Sequence, residues 1–236
     1  MSNPLIAALD AEVADLRRND GPLGDRLRRL AERVRELSPV YADAVDRFVM
    51  RLESVGAGAN APQVGDVMPD FMLPDHDGQM VTLERLIGSG PAVLVFHRGH
   101  WCPYCRLTMA GMAEIEARLA PHALAAISPE RQQYTRALRA SAGAGFPFLS
   151  DVGSGYALSL NLAVWVDDAM ARLIASSGLD IPEYQGTAGW IMPIPAVFIV
   201  GTDGRVIARH IDPDYRRRME QDAVLDMLGR VSSQPA

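Results

Sequence analysis

Pro91-Ala92-Val93-Leu94-Val95-Phe96-His97-Arg98-Gly99-His100-Trp101-Cys102-Pro103-Tyr104-Cys105 is the stretch on which the fold turns. Its first six residues are short, β-branched and continuously apolar, the texture of a strand buried on both faces. After it, apolar positions at Leu107, Met112, Ile115 and Leu119 read as a helix over Arg106 to Leu119. Cys102 and Cys105 are the only cysteines in the chain, and they sit where the strand ends and the helix begins. Pro103 suits a helix's first turn. Backbone N–H groups at a helix N-terminus favour negative charge, so they stabilise a thiolate over a thiol. In such sites a cysteine pKa falls from about 8.5 to roughly 3.5–7.5. Two intervening residues let the second sulfur reach the first and close a disulfide. The segment predicts thiol redox chemistry.

Two blander readings compete. Free cysteines pack as small hydrophobes, so the pair could be inert core; the strand–CxxC–helix setting and the Trp-Cys-Pro-Tyr-Cys spelling argue against that. A zinc site needs four ligands, and His97 and His100 are the only further candidates nearby. Four ligands crowded across a strand end and a helix start do not make a tetrahedron, so no metal is expected. His97 and His100 read as strand-end and loop residues.

A chain of 236 residues with 48% hydrophobic and 22% charged residues has material for one large domain, or one with an appendage. Net charge is −6 with no basic stripe, which argues against nucleic acid or an anionic membrane as partner. The 23 basic residues are all arginine, so lysine chemistry is excluded. Met1 to Ile6 lacks a basic segment, and Asp10, Glu12 and Asp15 interrupt any apolar core, so no signal peptide is read there. The apolar runs are too short to span a bilayer. These features predict a cytoplasmic protein, where a CxxC pair serves catalysis rather than stapling.

Residues 1–54 read as a helical N-terminal extension, with stripes at Leu5, Leu9, Val13 and Leu16, then Leu23, Leu27, Leu30, Val34 and Leu37, then Tyr41, Val45, Phe48 and Leu52. The extension is read as a cap on the main domain or as a homodimerisation element. Residues 55–63, with Gly56, Gly58, Asn60, Ala61 and Pro62, are a linker by composition. Residues 64–231 alternate strands and helices. Phe71 to Leu73 and Met80 to Leu83 form a hairpin; strands follow at 91–96, 124–128, 146–151 and 195–200, with a partner at 205–210. Helices are expected at 131–142, 155–176 and 218–231. The pattern is α/β, a mixed sheet flanked by helices.

Residues 64–229 resemble the alkyl hydroperoxide reductase/thiol-specific antioxidant family of the thioredoxin-like fold, and more closely its peroxiredoxin-like branch with a CxxC. The resemblance is carried by Val64-Gly65-Asp66-Val67-Met68-Pro69-Asp70-Phe71-Met72-Leu73-Pro74-Asp75 and Phe96 to Cys105. Ile127-Ser128-Pro129, Phe148-Leu149-Ser150-Asp151, Pro195 to Val200 and Asp212-Pro213-Asp214-Tyr215 follow in order. It implies reduction of a hydroperoxide by a cysteine thiolate that becomes a sulfenic acid and then a disulfide. It also implies a thioredoxin-type reductant and no cofactor.

The chain departs from the family in two places. The family's Pro-x-x-x-Thr-x-x-Cys pattern finds Arg98 and Cys102 when counted back from Cys105, and Val95 and Gly99 when counted back from Cys102. The arginine expected just before Val197 is replaced by the region of Pro195, which matches the cis-proline of thioredoxins. Cys102 is read as the nucleophile with the lower pKa and Cys105 as the resolving thiol, although the ungapped family register makes Cys105 peroxidatic. Arg98 or Arg106 is expected to supply a cation, and Trp101 and Tyr104 to shape the substrate rim. A protein dithiol–disulfide oxidoreductase, or a redox-sensing binding module acting through residues 1–54, are the alternative functions.

Overall fold

The computed structural model describes residues 3–232. Three helices open the chain: α1 (Pro4–Leu16), α2 (Leu23–Leu37) and α3 (Pro39–Ser54). Their starts are written locally. Asn3 accepts the Leu5 N–H ahead of Pro4, and Ser38 accepts the Tyr41 N–H ahead of Pro39. A compact turn over 55–63 leads to the hairpin β1 (Met72–Pro74) and β2 (Met80–Thr82), then α4 (Leu83–Ile87).

The central sheet follows in β3 (Ala92–Phe96), α5 (Pro103–Leu119), β4 (Ala123–Ser128), α6 (Gln132–Ala142) and β5 (Phe148–Ser150). An excursion holds α7 (Gly155–Ser159), β6 (Ala163–Trp165), α8 (Asp168–Ser176), α9 (Ile181–Gln185) and β7 (Ile191–Pro193). The chain returns in β8 (Ala196–Val200), β9 (Val206–Ile211) and α10 (Gln221–Ser232). The five strands lie in the order β5-β4-β3-β8-β9, with β3, β4 and β5 parallel and β8 and β9 antiparallel to their neighbours. This is the mixed, helix-flanked sheet expected.

Burial on both faces explains why β3 shows no alternation. Leu94 and Phe96 pack with Phe198, Leu149 and Tyr156 on the hairpin side. Val93 and Val95 pack with Met109, Met112, Leu138 and Leu228 on the side of α5, α6 and α10. A third cluster joins Leu16, Leu23, Leu27, Leu30 and Phe48 to Trp101, Cys102, Tyr104, Cys105 and Leu107, so the three N-terminal helices share their core with the cysteine segment. Polar contacts reinforce this junction. The buried Arg26 holds Glu114 of α5 in a two-pronged ion pair at 3.0 and 3.1 Å. The Glu220 carboxylate caps α2 by accepting the Leu23 and Gly24 N–H groups.

Three expectations shift. The helix after the cysteines begins at Pro103 rather than Arg106. The segment 155–176 is not one helix, because Ala163–Trp165 pairs with Ile191–Pro193. The terminal helix starts at Gln221, with Glu220 turned onto α2 instead of continuing it. Among the described residues no helix is long and apolar enough to cross a membrane.

Candidate active site

Cys102 is the N-cap of α5, Pro103 its first residue, and Cys105 lies one turn inside. Both thiols are free, and both are buried, at 1% and 0% exposure. Between β3 and α5 the loop folds back over the helix start, so that the Arg98 N–H donates to Cys105 Sγ at 3.4 Å. Gly99 makes this turn at φ +135°, a conformation L side chains rarely adopt, and a Cβ there would run into the Glu130 carboxylate. Glu130, fully buried just beyond β4, accepts the His100 N–H at 2.7 Å and bonds His100 Nδ1 at 2.6 Å. The Glu130 carboxylate thus anchors the loop that delivers the Arg98 amide to sulfur.

The Arg98 side chain is buried as well. Its guanidinium lies 3.8 Å over the Tyr215 ring and 4.8 Å over Trp101, and its Nε donates to Met192 Sδ at 3.2 Å. The Trp101 indole N–H donates to the Arg98 carbonyl at 3.2 Å. No carboxylate neutralises this guanidinium among the described residues; aromatic faces hold it. Arg106 instead forms an ion pair with Asp10 of α1, tying that helix across the cysteines. A small cavity of about 40 Å³ opens between them, lined by Arg98, Trp101, Cys102, Pro103, Tyr104, Tyr41 and Tyr215. Leu5, Ile6 and Leu9 of α1 form its apolar roof.

The sulfurs differ in electrostatics, and in the order opposite to the one expected. Burial pushes the Cys102 thiol well above its ordinary value, and the neighbouring Cys105 adds to this against the pull of Arg98 and Arg218. Burial also opposes ionisation of Cys105. There it is outweighed by the Cys102 thiol donating toward it, by the charges of Arg218 and Arg98, and by the Arg98 N–H, so Cys105 falls to about 6. The N-cap position explains the reversal: the Cys102 side chain accepts no capping hydrogen bond, whereas Cys105 receives an amide from outside its own helix.

Arg98, Trp101, Pro103, Tyr104 and Cys102 are thus brought around one cavity, with Cys105 behind Cys102. Pro195 is not among them. It lines a separate crevice with Arg98, Met192, Pro213 and Tyr215. Nor is its peptide bond cis: among the described residues the one cis bond is Ala120–Pro121. Two residues carry the chain from β7 to β8, with the Ile194 N–H bound to the Leu162 carbonyl at 2.7 Å, and this extended crossing takes a trans bond. The thioredoxin-like role expected of Pro195 is therefore overturned. His97 packs edge-on to Phe148, with neither ring nitrogen hydrogen-bonded, and burial pushes it down to about 3. Sequence reasoning misses Tyr41, Tyr215, Glu130 and Met192 as site residues. Of these Glu130 carries a signal, as a charge set just beyond the carboxyl end of a buried strand, and Tyr215 another, as the last residue of Asp212-Pro213-Asp214-Tyr215.

Solved structures share this architecture. Peroxidoxin BcpB from Mycobacterium tuberculosis superposes with a TM-score of 0.57 at 20% identity, covering 72% of this chain and 98% of its own. Enterococcus faecalis AhpC gives 0.56 at 16%, covering 72% and 93%. Xylella fastidiosa PrxQ gives 0.54 at 14%, covering 73% and 98%. At these identities they show a common fold. No curated protein matches the chain. Residues 64–209, which contain four strands of the central sheet and most of the fifth, both cysteines, Arg98 and Glu130, match the AhpC/TSA family, and the chain belongs to that family.

Proposed function

We propose that the chain is a thiol-dependent peroxidase that reduces hydroperoxides, with Cys102 as the attacking sulfur and Cys105 as its base and resolving thiol. The supporting observation is that Cys102 is the sulfur lining the enclosed cavity, beside the buried Arg98 cation. Cys105 carries the more acidic thiol but lines none of the described cavities. Geometry ranks first in choosing the attacking atom, and pKa second.

The two sulfurs share the work. In the resting pair the Cys105 thiolate accepts from the Cys102 thiol. As Cys102 sulfur attacks the terminal peroxide oxygen, its proton passes to Cys105; the S–O bond forms and the O–O bond breaks. The departing oxygen leaves as an alkoxide or hydroxide facing Arg98, whose fixed charge stabilises it in a site with little water. Cys105 then attacks the Cys102 sulfenic acid, releasing water and closing the disulfide. A cytoplasmic thioredoxin-type dithiol is the reductant we assign. The trans bond at Pro195 takes away one of the two features that favour a general dithiol–disulfide oxidoreductase, leaving the missing family arginine.

Stopped-flow mixing of the reduced protein with hydrogen peroxide tests the proposal. Fast consumption is expected, abolished in Cys102→Ser; Cys105→Ser, which lacks both the base and the resolving thiol, should react more slowly and stop after a single turnover with a trappable sulfenate. The opposite pattern reverses the roles, as the family register has it. No reaction in the unmodified protein ends the peroxidase reading.

A further inference from the structure

The cavity over Cys102 is completed by two phenols that the family match does not contain. Tyr41 comes from α3 and Tyr215 from the loop after β9, whereas the match runs over 64–209. Each phenol lies close enough to the other, to Arg98 and to Cys102 to feel their charges. The Tyr215 ring is clamped between the Arg98 guanidinium at 3.8 Å and the edge of Tyr104 at 5.4 Å. The position of Tyr41 follows from its helix. Its backbone N–H is fixed by the Ser38 hydroxyl at 3.3 Å, and α3 is held in the shared core by Val45, Phe48, Val49 and Leu52.

We propose that Tyr41 and Tyr215 are the hydroxyl pair that binds the peroxide above Cys102 and gives the leaving oxygen its proton, so that the N-terminal helices are part of the active site. The inference rests on the peroxidase reading and deepens it. Of the other polar groups around the cavity, the Trp101 N–H is committed to the Arg98 carbonyl and the Ser177 hydroxyl to the Ile174 carbonyl at 2.6 Å; the Tyr104 phenol also lines it, its ring packed edge-on with Tyr215. Arg98 brings charge, but a guanidinium does not give up its proton. Burial holds both phenols protonated near neutral pH, which a donor requires. The step balances simply. As O–O cleavage leaves an alkoxide or hydroxide, a phenol proton moves to it, giving an alcohol or water; the phenolate is reprotonated from solvent. A cavity of about 40 Å³ admits the –OOH head, a water needing roughly 10–15 Å³ on the same scale.

The experiment compares the full-length protein with Tyr41→Phe, Tyr215→Phe and the double variant, all fully reduced. Burst consumption of hydrogen peroxide is followed by tryptophan fluorescence, and alkylation by iodoacetamide is timed in parallel. Alkylation reads the thiols and their access without needing a proton for a leaving oxygen. A positioned general acid predicts peroxide rate constants about 100-fold lower in the variants, with alkylation changed by less than about twofold. Unchanged peroxide rates overturn the assignment. A parallel fall in both rates overturns it too, since that is what a loosened site gives. The unmodified protein is measured first: if it does not consume peroxide, the peroxidase reading has failed and this inference with it, whereas a fast wild-type burst that the variants retain refutes the tyrosines alone.

Discussion

Replacing Cys102 by alanine should make Cys105 a weaker acid, by an amount the site itself sets. In the intact pair the Cys105 thiol falls below its ordinary value to about 6 despite being fully buried. Four influences produce that fall, and the Cys102 thiol is the largest, ahead of the Arg218 and Arg98 charges and the Arg98 N–H. A hydrogen bond to a charged group is worth about 1.5–3 kcal/mol, and at about 1.36 kcal/mol per pH unit its loss should raise the midpoint by roughly one to two units. Ultraviolet thiolate absorbance against pH reads this directly, because Cys102→Ala leaves a single thiol in the chain. The wild type should show one thiolate with a midpoint near 6 and the second only well into alkali, Cys102 being pushed up. The alanine variant should titrate near 7 or above, and Cys102→Ser, which keeps a hydroxyl donor, in between. A midpoint that stays at 6 in Cys102→Ala refutes the claim that one sulfur holds the other's charge.

The same shift bears on stability. A thiol depressed on folding stabilises the fold fully above its unfolded value, about 8.5, and loses that contribution as pH falls through about 6. Unfolding free energy should accordingly climb between these limits in the reduced protein. Urea titrations of wild type and Cys105→Ser at the two ends of the window measure the difference, which should vanish in the variant.

Exposure of the reduced protein to one equivalent of peroxide should remove two hydrogens in intact-mass spectra; a lasting sulfenic acid beside a free Cys105 contradicts the disulfide step. Arg98→Met should slow the peroxide burst about 100-fold, by loss of the cation facing the departing oxygen; an unchanged burst removes Arg98 from the chemistry. Gly99→Ala should destabilise the fold by about 1–3 kcal/mol, since it combines a strained φ with a collision at Glu130; a denaturation midpoint equal to wild type would show that the loop can move aside. Glu114→Ala should cost about 1–3 kcal/mol in urea unfolding by leaving Arg26 buried without its carboxylate, discounted because Glu114 itself is half exposed.

Patterns that repeat along the chain are legible in the amino-acid sequence alone. The continuous apolar run of β3 announces a strand covered on both faces, and the stripes at Leu23, Leu27 and Leu30 announce a helix with one buried side. Three-residue strands carry too few positions to establish a period, and so β6 is hidden inside what reads as helix and β7 goes unread in the segment after it. The site is legible in its parts and not in its electrostatics. A helix N-terminus is a local property, and it places Cys102 and Cys105 together at the start of α5. What sorts the two sulfurs is not local. Burial at the N-cap acts on Cys102, and an amide from the preceding loop acts on Cys105, held there by Glu130 from the end of the neighbouring strand. The reversal follows from that division. The sulfur facing the cavity is the one that keeps its proton, and the sulfur holding the charge lines none of the described cavities. The space in front of Cys102 is likewise assembled from distant parts of the chain: Leu5, Ile6 and Leu9 of α1 and Tyr41 of α3 close it over the Arg98–Tyr104 segment, with Tyr215 at its side.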